Sequence, residues 1–223
     1  MIGPLIASLK DFVSQGQLSN AFKTFSSIQH CASSSGSFEH ILHPISSLLL
    51  SCINLKSLPQ GKQLHAQIIL LGLGQHPVLV PRLVTLYTRL NLLADAHIVA
   101  ENSNILQPLP WNLLISSYVR NGLFVEAISA YKKMLNKQVK PDDFTYPSVL
   151  KACGEASDLV LDAISWNTMI SNYASRDMWG EAFWLFESMQ KEGIEQSIIV
   201  WNTIAGGYLR TGNFRGALVC FLG

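Results

Sequence analysis

Three asparagines in the sequence stand at a repeated position, because each directly follows a tryptophan. The three pairs are Trp111-Asn112, Trp166-Asn167 and Trp201-Asn202. A carboxamide carries both hydrogen-bond donors and an acceptor, so it can bind a ligand that presents complementary polar groups. An asparagine near the start of a helix can instead bond to the local backbone. Which of the two roles applies depends on the helices that carry these side chains and on what lies beside them.

A second group of reactive residue types lies near the amino terminus and comprises His30, Cys31, His40 and His43. The gap between the two last histidines is shorter than usual zinc-finger spacing, and the run Ser33–Ser37 predicts a loop. We therefore interpret the segment as a surface linker and predict no metal and no other cofactor. The sequence also lacks nucleophile elbows, phosphate loops and zinc-deaminase motifs, so we predict that the chain is not an enzyme.

The tryptophans mark an internal repeat. Trp166 follows Trp111 by 55 residues and Trp201 follows Trp166 by 35. Alignment on them superposes residues of like type, which is the signature of repeated units. The superposed sets are Leu114, Met169 and Ile204; Tyr118, Tyr173 and Tyr208; and Ala127, Ala182 and Ala217.

Each copy contains two helical patterns. From Trp111 to Tyr118 the apolar residues recur with the i, i+3, i+4, i+7 spacing of one helix face. Asn121-Gly122 then predicts a helix stop, and a second apolar face runs from Ala127 to Met134. A hairpin of this length cannot bury its own apolar faces, so the repeats must stack. We predict an all-α fold, an α-solenoid or superhelix of helix-turn-helix repeats.

The composition agrees with a packed repeat protein. Of 223 residues 48% are hydrophobic and 14% are charged, a composition that excludes low-complexity disorder. The net charge is +1, which argues against binding a polyanion by bulk charge. Four scattered cysteines without a Cys-x-x-Cys pair favour a reducing compartment. The longest apolar run, 68–74, is too short to span a bilayer, so no membrane partner is predicted. The segment 1–17 lacks arginine, and no cleavable leader is expected in this chain.

The repeat units resemble the pentatricopeptide repeat. The resemblance is carried by Trp111 through Asp142 and by the segments 164–170, 181–183 and 189–194. Gly61–Ala66 and Pro147–Cys153 resemble the long type of this repeat, and 77–107 resembles the short type. Such a mixture is similar to the plant class in which ordinary, long and short repeats alternate. The tetratricopeptide repeat, which binds proteins, has a period of 34 and lacks this Trp-Asn start and Pro-Asp end; it provides the alternative function, a protein-interaction scaffold.

The resemblance implies a division of the whole chain into repeats. We predict a degenerate repeat at 2–36, a long-type repeat at 42–76, a short-type repeat at 77–107, an ordinary repeat at 108–142, a truncated long-type repeat at 143–162, an ordinary repeat at 163–197 and a truncated repeat at 198–223. Between 142 and 163 the alternating class would place about 66 residues, and this chain has 20. We predict that an internal deletion or an alternative transcript removed the partner of the helix at 143–154.

The resemblance also implies function. Such proteins read single-stranded RNA at about one base per repeat. The chain would act as an adaptor for RNA editing, processing or stabilisation in a mitochondrion or chloroplast. Editing or processing proteins would act on the bound RNA in trans. The implied base-reading residues are Asn112 with Asp142, Asn167 with Ser197, and Asn202, and the implied base-sandwiching residues are Leu109, Ile164 and Ile199. By resemblance Asn with Asp favours uracil and Asn with Ser favours cytosine, so the ordinary repeats would prefer pyrimidines.

Overall fold

The computed structural model describes residues 3–35, 39–155 and 163–222, and over these residues the chain forms thirteen helices and no strand. The predicted all-α fold of helix-turn-helix repeats is confirmed. The helices are α1 Gly3–Ser14, α2 Leu18–Ser35, α3 Glu39–Asn54, α4 Leu58–Leu70, α5 Leu79–Arg89, α6 Leu93–Glu101, α7 Leu109–Arg120, α8 Phe124–Asn136, α9 Thr145–Glu155, α10 Ala163–Ala174, α11 Trp179–Lys191, α12 Ile198–Arg210 and α13 Phe214–Leu222.

The chain divides into two compact units, Met1–Ala152 and Cys153–Gly223. In the first unit consecutive helices pair as hairpins, α1 with α2, α3 with α4, α5 with α6 and α7 with α8. The first helices of these hairpins also form a row, because α1 packs on α3, α3 on α5 and α5 on α7. In the second unit α10 pairs with α11 and α12 with α13, and α10 packs on α12. Each unit therefore buries its apolar faces between hairpins.

The small residues at the start of each second helix permit this close pairing. Ala127 and Ala182 are buried, as are Ala21, Ala96 and Ala217 at the same position of other hairpins. In α4 the position belongs to Gly61, where an added Cβ would lie 2.8 Å from a methyl of Leu86. Close contact of helices at small side chains is a common means of dense packing.

The turn inside each described hairpin contains one residue in the left-handed backbone region. In the α7–α8 hairpin this residue is Gly122, with φ +71, and the next N–H, of Leu123, donates to the Tyr118 carbonyl at 3.0 Å. That bond closes the helix end in the manner of a Schellman motif. The helix stop predicted at Asn121-Gly122 is thus confirmed. The corresponding residues of the other hairpins are Gly16, Lys56, Asn91, Asp177 and Gly212.

The loop predicted at Ser33–Ser37 is wrong in its first part, because α2 continues through Ser35. Residues 36–38 lie outside the described residues. Serine lowers helix propensity by only a fraction of a kcal/mol per residue, whereas α2 is anchored by the fully buried Phe25 and Ile28. Packing of the preceding turns therefore outweighs the local preference for a loop.

Helix α9 is a single helix between two hairpins. Its side chains at Tyr146, Val149 and Ala152 are buried, and over the described residues no second helix follows before α10 begins at Ala163. The segment 156–162, into which the predicted truncation extends, lies outside the described residues. None of the helices that the structure describes is long and apolar enough to cross a membrane.

Candidate functional site

The hairpin α7–α8 brings Asn112 next to the residue that follows it by 30 positions. The Nδ2 atom of Asn112, in the first turns of α7, donates to Oδ1 of Asp142 at 2.7 Å. Helix α8 runs back along α7, so the end of the unit returns to the start of its first helix. The structure thus joins the two residues that the sequence analysis pairs at 108–142.

The carboxylate of Asp142 is held in place by the start of α9. Its Oδ1 accepts from the backbone N–H groups of Phe144 and Thr145, each at 3.1 Å. This is the side-chain capping that an aspartate commonly provides ahead of a helix. Because backbone donors fix the carboxylate, the position of the Asn112 amide depends on where α9 begins.

A third residue, Thr145, contacts the same pair. Its hydroxyl oxygen lies 2.6 Å from Oδ1 of Asn112 and 3.0 Å from Oδ1 of Asp142, and it accepts from the N–H of Asp142 at 3.0 Å. The hydroxyl has one hydrogen to donate, and the shorter distance assigns it to Asn112. Thr145 is 0% exposed and Asn112 is 7% exposed. Both ends of the carboxamide therefore have a protein partner, and its second N–H hydrogen is the group left to meet a ligand.

The second unit repeats the arrangement with different partners. Nδ2 of Asn167 lies 3.2 Å from Oγ of Ser197, and that oxygen also accepts from the N–H of Val200 at 3.4 Å, which caps α12. The Oδ1 atom of Asn167 is buried and has no hydrogen-bond partner within the described residues. The residue 55 positions after Thr145 is Val200, which has no hydroxyl.

A polar groove of about 480 Å³ opens beside Asn167 on one face of α10. The Asn172 amide donates to the Thr168 carbonyl at 2.8 Å, and the Ser175 hydroxyl donates to the Asn172 carbonyl at 2.8 Å. All five lining side chains are uncharged and can form hydrogen bonds, so the groove suits a polar ligand that is recognised by shape and hydrogen bonding. They are Asn167, Thr168, Ser171, Asn172 and Ser175.

The remaining predicted site residues lie at the starts of first helices. Leu109 is 50% exposed and Ile199 is 69% exposed, so both present apolar surface to solvent. Asn202 is exposed in α12. The side chain of Ile164 lies outside the described residues. In the part of the chain that the structure describes, no three His, Cys, Asp or Glu side chains cluster to hold a metal ion.

Thr145 belongs to the site although the sequence pattern did not predict it there. The 55-residue offset between the two ordinary repeats aligns Thr145 with Val200. This difference in residue type, just after two similar repeats, was the sequence signal for Thr145. A threonine near a helix start is usually interpreted as a cap, and only the structure shows its hydroxyl directed at Asn112.

Comparison with known proteins identifies the repeat. Residues 110–155 match the PPR repeat family, and residues 164–194 and 199–222 match the PPR repeat, where PPR denotes the pentatricopeptide repeat. The pentatricopeptide repeat-containing protein At1g22830 of Arabidopsis thaliana is 40% identical over 98% of this chain. That comparison extends over 265 positions, 42 more than the 223 residues present, so the relative contains residues in the matched region that have no counterpart here.

Other relatives of Arabidopsis thaliana cover less of the chain. The mitochondrial protein At2g03380 is 29% identical over 78% of the chain, and the chloroplastic protein At4g18520 is 31% identical over 77%. The chain spans 37%, 27% and 30% of the length of these three relatives, in the order given.

Among solved structures, the chain superposes on maize PPR10 with a TM-score of 0.45 and 16% identity, covering 96% of this chain and 32% of PPR10. For PPR10 in complex with an 18-nt psaJ RNA element the TM-score is 0.32 and the identity 15%, covering 99% of this chain and 39% of that one. The matched repeats and the close relative lead to one assignment, and the chain belongs to the pentatricopeptide repeat family.

Proposed function

We propose that the chain binds single-stranded RNA and reads about one base at each ordinary repeat. The observation that carries this proposal is the pairing of Asn112 with Asp142 and of Asn167 with Ser197. Two copies of one repeat, 55 residues apart in sequence, thus position a carboxamide against the residue that ends the unit. Repeats that each present two or three side chains to one base suit an extended, unpaired strand.

The surroundings of the two pairs fit base recognition better than phosphate recognition. The groove beside Asn167 is lined by uncharged side chains, and the net charge of the chain is +1. Binding by bulk charge would require an excess of Lys and Arg and would weaken steeply with salt. We therefore expect a weak salt dependence and modest affinity.

The exposed apolar residues near these asparagines suit contact with base faces. Leu109 and Ile199 stand at the starts of α7 and α12, each half or more exposed. An apolar side chain that covers a base face removes both surfaces from water. In this proposal Leu109, Ile164 and Ile199 sandwich bases, and Asn202 reads a base beside Ile199.

The base preference follows from hydrogen bonding. A carboxamide can match the pattern of donors and acceptors on a pyrimidine edge. We propose uracil for the Asn112 and Asp142 pair and cytosine for the Asn167 and Ser197 pair, as the family resemblance implies.

The biological role extends the same proposal. The chain acts as an adaptor for RNA editing, processing or stabilisation in a plant mitochondrion or chloroplast, and performs no catalysis itself. Editing or processing proteins then act in trans on the bound transcript. The mitochondrial and chloroplastic names of two relatives support an organelle, and the mixture of repeat types supports the alternating class.

Fluorescence anisotropy with labelled RNA of about 12 nucleotides tests this function. We expect the wild type to bind a mixed pyrimidine oligonucleotide more tightly than a purine one at about 0.1 M salt. Asn167→Ala should weaken pyrimidine binding roughly fivefold or more, because it removes a base contact. Asn136→Ala, at the exposed end of α8, is the matched control and should bind like the wild type.

The alternative of a protein-interaction scaffold makes the opposite prediction. A protein-interaction scaffold would bind RNA only weakly. Its RNA affinity would not depend on base composition and would be the same in the wild type and in Asn167→Ala. That result would refute the proposed reading of RNA bases, and it would not affect the assignment of the repeat fold.

A further inference from the structure

The two base-reading candidates differ in one buried residue. Thr145 and Val200 occupy the same place, three residues after the end of an ordinary repeat, and both are 0% exposed. The Thr145 hydroxyl bonds to Oδ1 of Asn112, whereas Oδ1 of Asn167 has no partner among the described residues. Valine and threonine have nearly the same shape, so besides the exchange of Asp142 for Ser197 at the end of the unit the sites differ at this buried position by one hydroxyl.

We propose that Thr145 is a positioning residue that fixes the Asn112 carboxamide with its N–H toward RNA, and that Val200 leaves the Asn167 carboxamide free to turn over. The inference rests on the proposed function and deepens it. It assigns part of the base preference of a repeat to a residue of the segment that follows.

The orientation of Asn112 is set from both sides. A carboxylate only accepts hydrogen bonds, so Asp142 requires the N–H side of the carboxamide. The Thr145 hydroxyl lies 2.6 Å from Oδ1 at the opposite end, closer than the 3.0 Å to Oδ1 of Asp142, so its one hydrogen is assigned to Asn112. Turning the carboxamide over would place Oδ1 against the Asp142 carboxylate and break both bonds, at a cost typical of lost buried hydrogen bonds.

The orientation of Asn167 has no such restraint. Its neighbour Ser197 carries a hydroxyl, which can accept from an N–H or donate to an oxygen. The residue in the sequence place of Thr145 is Val200, whose side chain offers no hydrogen bond to either end. Either end of the Asn167 carboxamide can therefore face Ser197, and the site can offer a donor or an acceptor.

These two states predict different bases. Uracil carries a carbonyl acceptor at the place where cytosine carries an amino donor. A carboxamide fixed with its N–H outward suits the uracil carbonyl, and one that can turn its oxygen outward suits the cytosine amino group. The hydroxyl of Thr145 and its absence at Val200 thus provide a physical cause for a uracil-preferring and a cytosine-preferring repeat.

The first test isolates the Asn112 site in the full chain by adding Asn167→Ala and Asn202→Ala. Binding constants are measured for oligo(U) and oligo(C) of about 12 nucleotides, and their ratio is the preference. We expect Thr145→Val in this background to reduce the uracil preference roughly fivefold, the worth of one hydrogen bond, and Thr145→Ser to retain it. Thermal unfolding of each variant checks that the fold persists.

The reciprocal test isolates the Asn167 site by adding Asn112→Ala and Asn202→Ala. Val200→Thr supplies the missing hydroxyl and should shift the preference roughly fivefold from cytosine toward uracil. A gain of discrimination cannot result from a damaged fold. Unchanged preference ratios in both Thr145→Val and Val200→Thr would overturn the inference.

A measurement without RNA separates this inference from the proposed function. Proton exchange of the Asn112 side-chain amide with water, followed by NMR, should be slower than that of Asn167 and should accelerate in Thr145→Val. If the wild type binds neither oligonucleotide, the proposed function fails. If Thr145→Val leaves the exchange rate of the Asn112 side-chain amide unchanged, the proposed fixed orientation of that amide is refuted independently.

Discussion

The Nδ1 atom of His97 lies 2.9 Å from the phenolic oxygen of Tyr118, and the two rings are 5.9 Å apart between centroids. The same contact occurs one repeat earlier, where Nδ1 of His65 lies 2.8 Å from the oxygen of Tyr87. In each case the second helix of one hairpin bonds to the first helix of the next. The repeated aromatic position therefore stabilises the contact between repeats as well as the core of its own hairpin.

Burial favours the neutral form of both histidines. Burial lowers the pKa of His65 below its ordinary value of 6.5. Burial also lowers the pKa of His97, and the ammonium of Lys133, 3.0 Å from Nε2, lowers that pKa further against the opposing effect of Glu101. In the neutral form of His97, Nε2 accepts from the Lys133 ammonium, so Nδ1 carries the proton and donates to Tyr118.

The first prediction concerns pH. The unfolded histidines take up protons near pH 6.5, whereas the folded ones do so only at lower pH, so the stability they contribute is complete above pH 6.5 and decreases as the pH falls from there toward the folded pKa. We expect urea unfolding of the full chain to show a lower free energy at about pH 6 than at about pH 7.5. The double variant His65→Gln, His97→Gln should show a smaller decrease, and an equal decrease would contradict the prediction.

The second prediction concerns the second unit, where α12 contains two adjacent glycines. A Cβ on Gly207 would overlap the ring of Trp179, and no atom lies within 4 Å of a Cβ on Gly206. Trp179 packs on Phe183, which stacks on Tyr208 with centroids 4.1 Å apart, so a shift of the Trp179 ring would disturb these contacts. We expect Gly207→Ala to destabilise the chain by about 1–3 kcal/mol, and Gly206→Ala to stabilise it by up to about 1 kcal/mol.

Calorimetry of the two variants measures this difference. They change the same residue type in the same helix, so helix propensity contributes equally to both. Equal melting temperatures would mean that Trp179 does not depend on close approach to α12.

The sequence predicted the helical hairpins well because their signals are local. The apolar spacing from Trp111 to Tyr118 and the stop at Asn121-Gly122 lie within one element, and the structure confirms both. The left-handed residue Lys56 carried no such signal, because lysine is not typical of that conformation. Its turn follows from the packing of α3 and α4 around it.

The candidate site was harder to predict because its contacts cross elements. The pairing of Asn112 with Asp142 came from resemblance to a family, and spacing alone does not imply it. The Thr145 hydroxyl acts on Asn112 from 33 residues away, and the direction of that hydroxyl depends on how α9 begins. Sequence patterns show which residue types recur, whereas hydrogen-bond direction requires the fold.

The third prediction concerns the turn of the α7–α8 hairpin. Gly122 has φ +71, and no atom lies within 4 Å of an added Cβ, so Gly122→Ala tests backbone strain without a steric clash. We expect a loss of about 1 kcal/mol in unfolding free energy, because an L-residue is disfavoured in this conformation. Gly74→Ala, in the same unit but without a positive φ, is the control and should change stability by less than about 0.5 kcal/mol.

The fourth prediction concerns α9. This helix buries Tyr146, Val149 and Ala152, but the described residues provide no hairpin partner for it, whereas α7 packs against both α8 and α5. Segments with fewer packed neighbours open locally at lower free energy. We expect backbone amides of residues 148–155 to exchange with deuterium at least about tenfold faster than those of residues 113–120, as measured by mass spectrometry of peptides. Equal protection of the two helices would mean that α9 is held as firmly as a complete hairpin, and the single helix would then not be a weak point of the chain.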